Sequence, residues 1–409
     1  MKKKNIIKIY VKEFKNFINH KKIHLNYIKV KNRIKRNIKN GKKIKVVFLA
    51  TEDCKWNYTS LYENLKKDSL FETILLFAPR TNKIHQEKEN ILKNFKFFKS
   101  KYPETQWAYN LETRHYHSLK EFNPDIVFYT QPWDINKTQN IKKVSKYALT
   151  CYCPYPLAES PETLIVNLKK FHINLWKHFI IADPVKTQYK DELNYTSKNI
   201  TVTGHPKLDF YLKKLNRNYS KYVIYAPHSS FPKFSWCKCA TFEWNGLHIL
   251  EYAKQHPEFN WVFKPHPDVY TNLIRNKIMT KEEVDNYYQE WEKIGLYYNT
   301  GDYFPIFQDS KCLITDCISF LGEYLPTKKP VIHLRSKYTV NYMALNKEII
   351  KHYYQAWDLE ELDNHLKNIL EDNKDPMLEE RLACLEEMQL GTSSSADRII
   401  QNIKQSLGV

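Results

Sequence analysis

Residues 43–79, KIKVVFLATEDCKWNYTSLYENLKKDSLFETILLFAP, carry the pattern from which the rest of the chain is read. Val46–Ala50 is a short apolar run with polar neighbours on both sides, as expected for a parallel strand buried on both faces. After Trp56, Leu61, Leu65 and Leu70 fall at helical spacing, and Thr73–Phe77 is a second apolar run. NPDIVFYTQPW (Asn123–Trp133) reads as a third strand running into a proline-aromatic loop. HFIIADP and NITVTGHP supply two more, ending in loops at Asp183 and Gly204. Strands alternating with helices over this range predict a doubly wound sheet.

The pattern then restarts. YVIYAPHSS (Tyr222–Ser230), NWVFKPHP (Asn260–Pro267), IGLYYN, KCLITDCIS (Lys311–Ser319) and KPVIHLR (Lys329–Arg335) are apolar strands that each end in a polar loop. Two α/β domains follow, 43–205 and 206–390, joined near Gly204–Asp209. The closing GTSSSADRIIQNIKQSL reads as an N-capped helix, 391–409, that crosses back over the first domain.

The 409 residues carry a formal charge of +19, unevenly spread. Residues 1–45 hold seventeen Lys and Arg against the single acid Glu13, which leaves the remainder nearly neutral. Basicity confined to one end argues against a nucleic-acid binder, whose basic stripe belongs on the folded domain. In this leader, 1–42, Ile7, Tyr10, Val11, Phe14, Phe17 and Ile18 form one stripe, with Lys4, Lys8, Lys12 and Lys15 mostly off it. Such a helix suits an anionic membrane surface; the plainer reading is a helix packed on the protein's own body. No stretch approaches the ~18 uninterrupted apolar residues of a spanning helix, and no signal peptide is recognisable. The expected location is cytoplasmic, peripheral on the inner face of the cell membrane. Eight cysteines in a chain of this length suggest reduced thiols. The C-x-C pairs Cys151/Cys153 and Cys237/Cys239 have the wrong spacing for zinc knuckles, so no metal or cofactor is expected.

Open parallel sheets bind ligands at the carboxyl ends of their strands, and there the second domain concentrates its unusual polar residues. Lys264 and His266 sit on a rigid Lys-Pro-His-Pro turn, His228 precedes Ser229 and Ser230, and Thr315 and Asp316 precede Ser319. Glu323 lies one helical turn past Ser319, placed to bond a ribose hydroxyl. Each alone has an ordinary reading: a histidine at a strand end is commonly packing or surface, and Asp316 could merely cap a helix with Ser319. Their convergence on one sheet suits a diphosphate. With no P-loop and no G-x-G-x-x-G, an ATPase or dinucleotide enzyme is disfavoured.

In order and spacing, WNYTSLYENLKKDSLFE, VTGHPKLD, YAPHSSF, FKPHP, LITDCISFLGEYLPTKKPVIHL and GTSSSADRI resemble the CDP-glycerol glycerophosphotransferase family of teichoic acid and capsule synthesis. The resemblance runs from about Lys45 to the C-terminus. It implies the GT-B architecture, two Rossmann-like domains facing a cleft with the donor nucleotide in the C-terminal one, and a peripheral membrane location. It makes His266 the catalytic or phosphate-binding histidine, assigns Thr315, Asp316 and Ser319 to the donor's phosphates, and turns Arg398 toward the cleft. A departure accompanies it. Better-known members carry a His-Gly-Thr-Pro motif proposed to furnish the base, and the counterpart here, YCPYPLAES (Tyr152–Ser160), has no histidine. His228 and His172 are the candidates for that base.

The expected activity is transfer of glycerol phosphate, or a related alditol phosphate, from a CDP-linked donor to a membrane-anchored glycan or polyol-phosphate acceptor. A GT-B glycosyltransferase using a nucleotide sugar is the alternative, since both donors present the same diphosphate. A reading from another class is a membrane- or RNA-docked nucleotide-binding protein without catalysis.

Overall fold

The computed structural model describes residues 2–82, 87–157, 169–193, 198–213, 222–231, 238–299, 302–339 and 342–409; of 2–15 and 192–193 it describes the backbone alone. The chain divides into two units, Met1–Asp209 with Ser394–Val409, and Phe210–Ser393.

The first unit is built on strands β1 (Ile44–Ala50), β2 (Phe71–Phe77) and β3 (Gln106–Trp107), a small antiparallel hairpin of β4 (Tyr109–Asn110) and β5 (His115–Tyr116), then β6 (Ile126–Tyr129), β7 (Leu149–Tyr152), β8 (Lys177–Ile180) and β9 (Ile200–Val202). Seven strands form one parallel sheet in the order β3-β2-β1-β6-β7-β8-β9. The apolar runs are continuous because both faces are covered: Val46, Val47, Phe48 and Ile126–Tyr129 are all buried. Strand order reverses between β1 and β6, which is where ligands of such sheets bind.

The basic leader is a helix, Lys2–Lys39, and its second half is part of this unit. Ile23, Tyr27, Val30 and Ile34 are buried in the core with the sheet. Tyr27 Oη meets Thr150 Oγ1 and Asn174 O, and Arg33 pairs with Asp125 at 2.8 Å. The stripe Ile7, Tyr10, Val11 and Phe14 lies outside the described side chains, whereas Phe17 and Ile18 are exposed. The plainer reading therefore holds from Ile23 onward. No helix among the described residues is long and apolar enough to cross a membrane.

The last helix, Ser395–Leu407, also belongs to the first unit. Both oxygens of Asp209 accept its first amides, Ser395 N–H at 2.8 Å and Ala396 N–H at 2.9 Å. Gly204 stands at φ +75°, and a Cβ there would lie 2.4 Å from Arg398 Nη2 and 2.5 Å from Ser395 Oγ. VTGHPKLD and SSSADR are thus two halves of one junction.

The second unit carries β10 (Tyr222–Ala226), β11 (Asn260–Phe263), β12 (Leu296–Tyr297), β13 (Ser310–Thr315), β14 (Val331–Leu334) and β15 (Tyr354–Ala356). They form a parallel sheet in the order β12-β11-β10-β13-β14-β15, which reverses between β10 and β13. This is the Rossmann strand order, and the GT-B class of two Rossmann-like sheets expected from the sequence is the fold observed.

Candidate functional site

The reversal in the second sheet places the segment after β10 beside the segment after β13, and one carboxylate ties them together. Asp316 Oδ1 accepts His228 N–H at 2.6 Å, while Oδ2 accepts the amide and hydroxyl of Thr241 at 2.7 and 2.8 Å. The group is fully buried, and burial pushes its carboxyl up to about 7, even though His228 N–H and Thr241 favour the charged form. Asp316 is therefore a bracket beneath the site rather than a phosphate ligand, and it does not cap the following helix, whose N-cap is Cys317. Thr315 is likewise internal: Oγ1 donates to Ala226 O at 2.6 Å and accepts Cys317 N–H at 2.9 Å.

Above this bracket His228 and His266 stand with ring centroids 4.8 Å apart, inclined at 61°. The Ser230 amide donates to His228 Nδ1 at 3.2 Å, and the Asp268 amide donates to His266 Nδ1 at 3.2 Å. A backbone N–H only donates, so each Nδ1 is an acceptor and each neutral ring carries its proton on Nε2. Ser229 Oγ adds a bond to His266 Nδ1 at 3.0 Å, and Ser230 Oγ one to His228 Nδ1 at 2.8 Å. Burial, then the neighbouring His266, pushes His228 down to about 3. His266 is also lowered, by burial and then by Lys264, with Asp268 opposing. Two neutral imidazoles side by side thus offer Nε2 protons. They line a 220 Å³ cavity with Ser229, Ser230, Phe231, Asn272, Arg275 and Asn276; no carboxylate is in the lining, and Asp268 Oδ2 stands 3.8 Å from His266 Nδ1 beside it. Arg275, Asn272 and Asn276 were not singled out in the sequence. Their signal is the helix Val269–Arg275 that starts directly after the Pro-His-Pro turn.

The remaining expected groups do not line this cavity, which corrects the picture of a single pocket. Lys264 is buried two residues before His266. Its ammonium lies 4.8 Å from the Tyr303 ring and 5.4 Å from Phe320, in cation–π range. Glu323 is buried, accepts the Tyr303 hydroxyl and is not among the residues that line the histidine cavity. Ser319 stands exposed in the first turn of the helix Ile318–Tyr324. Lys264 and Glu323 form a second cluster around Tyr303, neighbouring the histidines along the chain. Arg398 belongs to the first unit, where Nε donates to Thr203 O at 2.8 Å. It braces the Gly204 junction. His172 fails as a base: it is fully buried, its ring packed among Tyr152, Phe171, His178 and Tyr189.

The histidine-free segment Tyr152–Ser160 is described to Leu157. His205, from VTGHP, holds it in place: the Lys207 amide donates to Nδ1 at 3.2 Å, so Nε2–H donates to Pro154 O at 2.7 Å. Burial pushes His205 down to about 3. Across it Asn57 donates to the carbonyls of Cys153 and Pro154.

No family profile matches the sequence, and no curated protein matches it. Solved structures of the same fold are found. A Staphylococcus aureus MnaA–UDP co-structure is 13% identical with a TM-score of 0.56, covering 89% of this chain and 97% of its own. UDP-GlcNAc 2-epimerase from Neisseria meningitidis, bound to UDP-GlcNAc, is 15% identical at TM-score 0.58, with 89% of this chain and 100% of that one covered. A variant of the wall teichoic acid polymerase TagF is 15% identical at TM-score 0.52, covering 94% and 99%. At these identities the likeness concerns the fold.

Proposed function

We propose that the chain is a transferase of cell-surface polymer synthesis. It would move glycerol phosphate or a related alditol phosphate from a CDP-linked donor to a membrane-associated glycan or polyol-phosphate acceptor. The observation that carries this reading is the pair of neutral, tautomer-locked histidines, His228 and His266, over the strand reversal of the second sheet. A cavity lined by imidazole N–H groups, serine hydroxyls and Arg275, with no acid in the lining, favours an anion. At 220 Å³ it is smaller than the ~300–1,000 Å³ of pockets that engulf a drug-sized ligand. It houses the diphosphate of the donor rather than the whole nucleotide.

In this reading the acceptor hydroxyl oxygen bonds to the donor phosphorus as the P–O bond to CMP breaks, the hydroxyl proton passing to solvent water and CMP leaving as the anion. The Nε2 protons of His266 and His228 meet the charge gathering on the phosphoryl oxygens, and Ser229 and Ser230 hold the rings in register. Asp316 takes no part in the chemistry; it fixes the loop that carries His228.

A nucleotide-sugar donor is the second reading, favoured by the UDP and UDP-GlcNAc bound in structures of this fold. Incubation with CDP-glycerol, CDP-ribitol and UDP-GlcNAc, with membrane lipid extract as acceptor and mass analysis of products, separates the two. CMP release coupled to an alditol-phosphate product supports the first. UDP release supports the second. Binding without release of either nucleotide supports a non-catalytic protein.

Attachment to an anionic membrane surface is supported by the outward side of the leader helix. Phe17, Ile18, Leu25 and Ile28 are exposed there. At about 100° per residue they form a stripe opposite the buried Ile23, Tyr27, Val30 and Ile34. Lys21, Lys29, Lys35 and Arg36 lie on that outer side, each worth about 1 kcal/mol near an anionic surface. A 530 Å³ cavity elsewhere in the same unit is lined by Lys120, Lys137, Lys143 and Lys146.

A further inference from the structure

The first unit repeats the placement of the second: its sheet also reverses, between β1 and β6, and polar side chains converge above that point. Four adjacent strands, β2, β1, β6 and β7, contribute from the loops at their carboxyl ends. Lys55, just past β1, places Nζ 2.5 Å from Glu52 Oε2 and 3.0 Å from Gln131 Oε1, with Gln131 coming from the loop after β6. Arg80, just past β2, donates Nη1 to Glu52 at 3.3 Å, and it donates Nε and Nη2 to Asp134 at 3.1 and 2.7 Å. Trp133 and Tyr155, half-buried, wall the group. Lys55 Nζ is 5.4 Å from the Trp133 ring and 5.8 Å from Tyr155, which comes from the segment after β7. The two rings meet edge to face at 5.9 Å.

We infer that this is a binding site for a neutral polyhydroxylated ligand, a polyol or glycan terminus. Three observations carry it. The location is the strand reversal, the binding position of open α/β sheets. The composition is what vicinal hydroxyls require: carboxylates that accept, guanidinium and ammonium groups that donate, an amide that does both, and aromatic faces for C–H surfaces. The charge decides between ligand classes. Lys55 and Arg80 are balanced by Glu52 and Asp134, so a phosphate would meet two carboxylates, whereas hydroxyls find partners of both kinds. That is the opposite of the acid-free cavity in the second unit.

Stability alone is a poor reason for such a network, since a buried ion-pair network gains little over apolar packing of the same volume. The side chains of Lys55, Glu52 and Arg80 are only 8%, 12% and 14% exposed, and Asp134 is held at φ +52°, an uncommon conformation for a residue other than glycine. Calling the ligand the acceptor rests on the transferase reading; the existence of the site does not.

The test is ligand-observed saturation-transfer NMR on the full chain, with glycerol, ribitol and N-acetylglucosamine as neutral probes and glycerol 3-phosphate as the charged one. The inference expects transfer to at least one neutral probe and no advantage for glycerol 3-phosphate. Trp133→Ala should weaken the bound probe at least about tenfold. Asp134→Asn, which keeps size and tolerates positive φ, should weaken it as well, and it decides the matter should Trp133→Ala fold poorly. Silence from every neutral probe, preference for the phosphate, or unchanged binding in Asp134→Asn overturns the inference. CDP-induced thermal stabilisation, measured in parallel, reports on the donor pocket. Its absence in the wild type would remove the transferase reading and leave this site standing.

Discussion

His266 carries the largest single expectation. Removing a donor aimed at developing phosphoryl charge costs on the order of 10²–10³-fold in turnover. His266→Ala should show that loss in CMP release while its melting temperature stays near wild type, because the ring is partly exposed. Asp316→Ala should behave in the reverse manner. It strands three buried donors, His228 N–H and the amide and hydroxyl of Thr241, and is expected to cost on the order of 3 kcal/mol of stability. Calorimetric unfolding of the two variants separates them. Acid tests the same residues together. His178, His205, His228 and His333 are all pushed down by burial, the last three to about 3. The unfolded chain binds protons at these groups from about pH 6.5 downward while the folded chain does not, so stability falls as pH drops from 6.5 toward 3. Each group contributes at most about 1.4 kcal/mol per pH unit. Asp316 and Asp209, both raised by burial, work the other way, two carboxylates against four imidazoles. A melting temperature that holds or rises between pH 7 and 5 would contradict this balance.

The leader helix has two faces with separate jobs, and they can be separated by substitution. Ile34→Ala removes a fully buried side chain from the first core and should cost about 2–4 kcal/mol. Leu25→Ser on the outer face should leave the melting temperature alone and weaken sedimentation with phosphatidylglycerol vesicles. If both variants bind vesicles as wild type, the membrane role of this face fails. At the junction, Gly204→Ala combines positive φ with a clash against Arg398 and Ser395 and should destabilise by more than about 1 kcal/mol. The elements that the sequence made legible are those whose apolar runs are unbroken, such as β1, β10, β11 and β13, because parallel strands buried on both faces leave no polar alternation to confuse. Those it hid are short or mixed. β3 has two residues, β7 reads LTCY, and the edge strand β15 carries Gln355. The leader's buried half was hidden for another reason: its periodicity shows that one face is apolar, and only the tertiary contacts of Tyr27 and Arg33 show what covers it.

Considered together, the two sheets place one ionically balanced cluster and one acid-free cavity, each above its own strand reversal. The sequence reading looked for the second at the strand tips, a rule that depends on topology alone, and His228 and His266 line a cavity there. It could not assign tasks within it. Whether Asp316 binds a ligand or brackets loops depends on Thr241 and His228, which lie 75 and 88 residues away in the chain, and motif spacing does not encode such partners. The same holds for Arg398, which the terminal motif suggests as a ligand and the fold uses to brace Thr203. The Lys55 cluster went unseen because its members come from four separated loops, none with a motif. The central claim is that His228 and His266 together hold the diphosphate of a nucleotide. Isothermal titration of the full chain with CDP tests it most directly, comparing wild type with His266→Ala. The account predicts measurable binding by the wild type that weakens at least about tenfold in the variant. Equal affinity in the two proteins, or no binding of CDP by either, would contradict it.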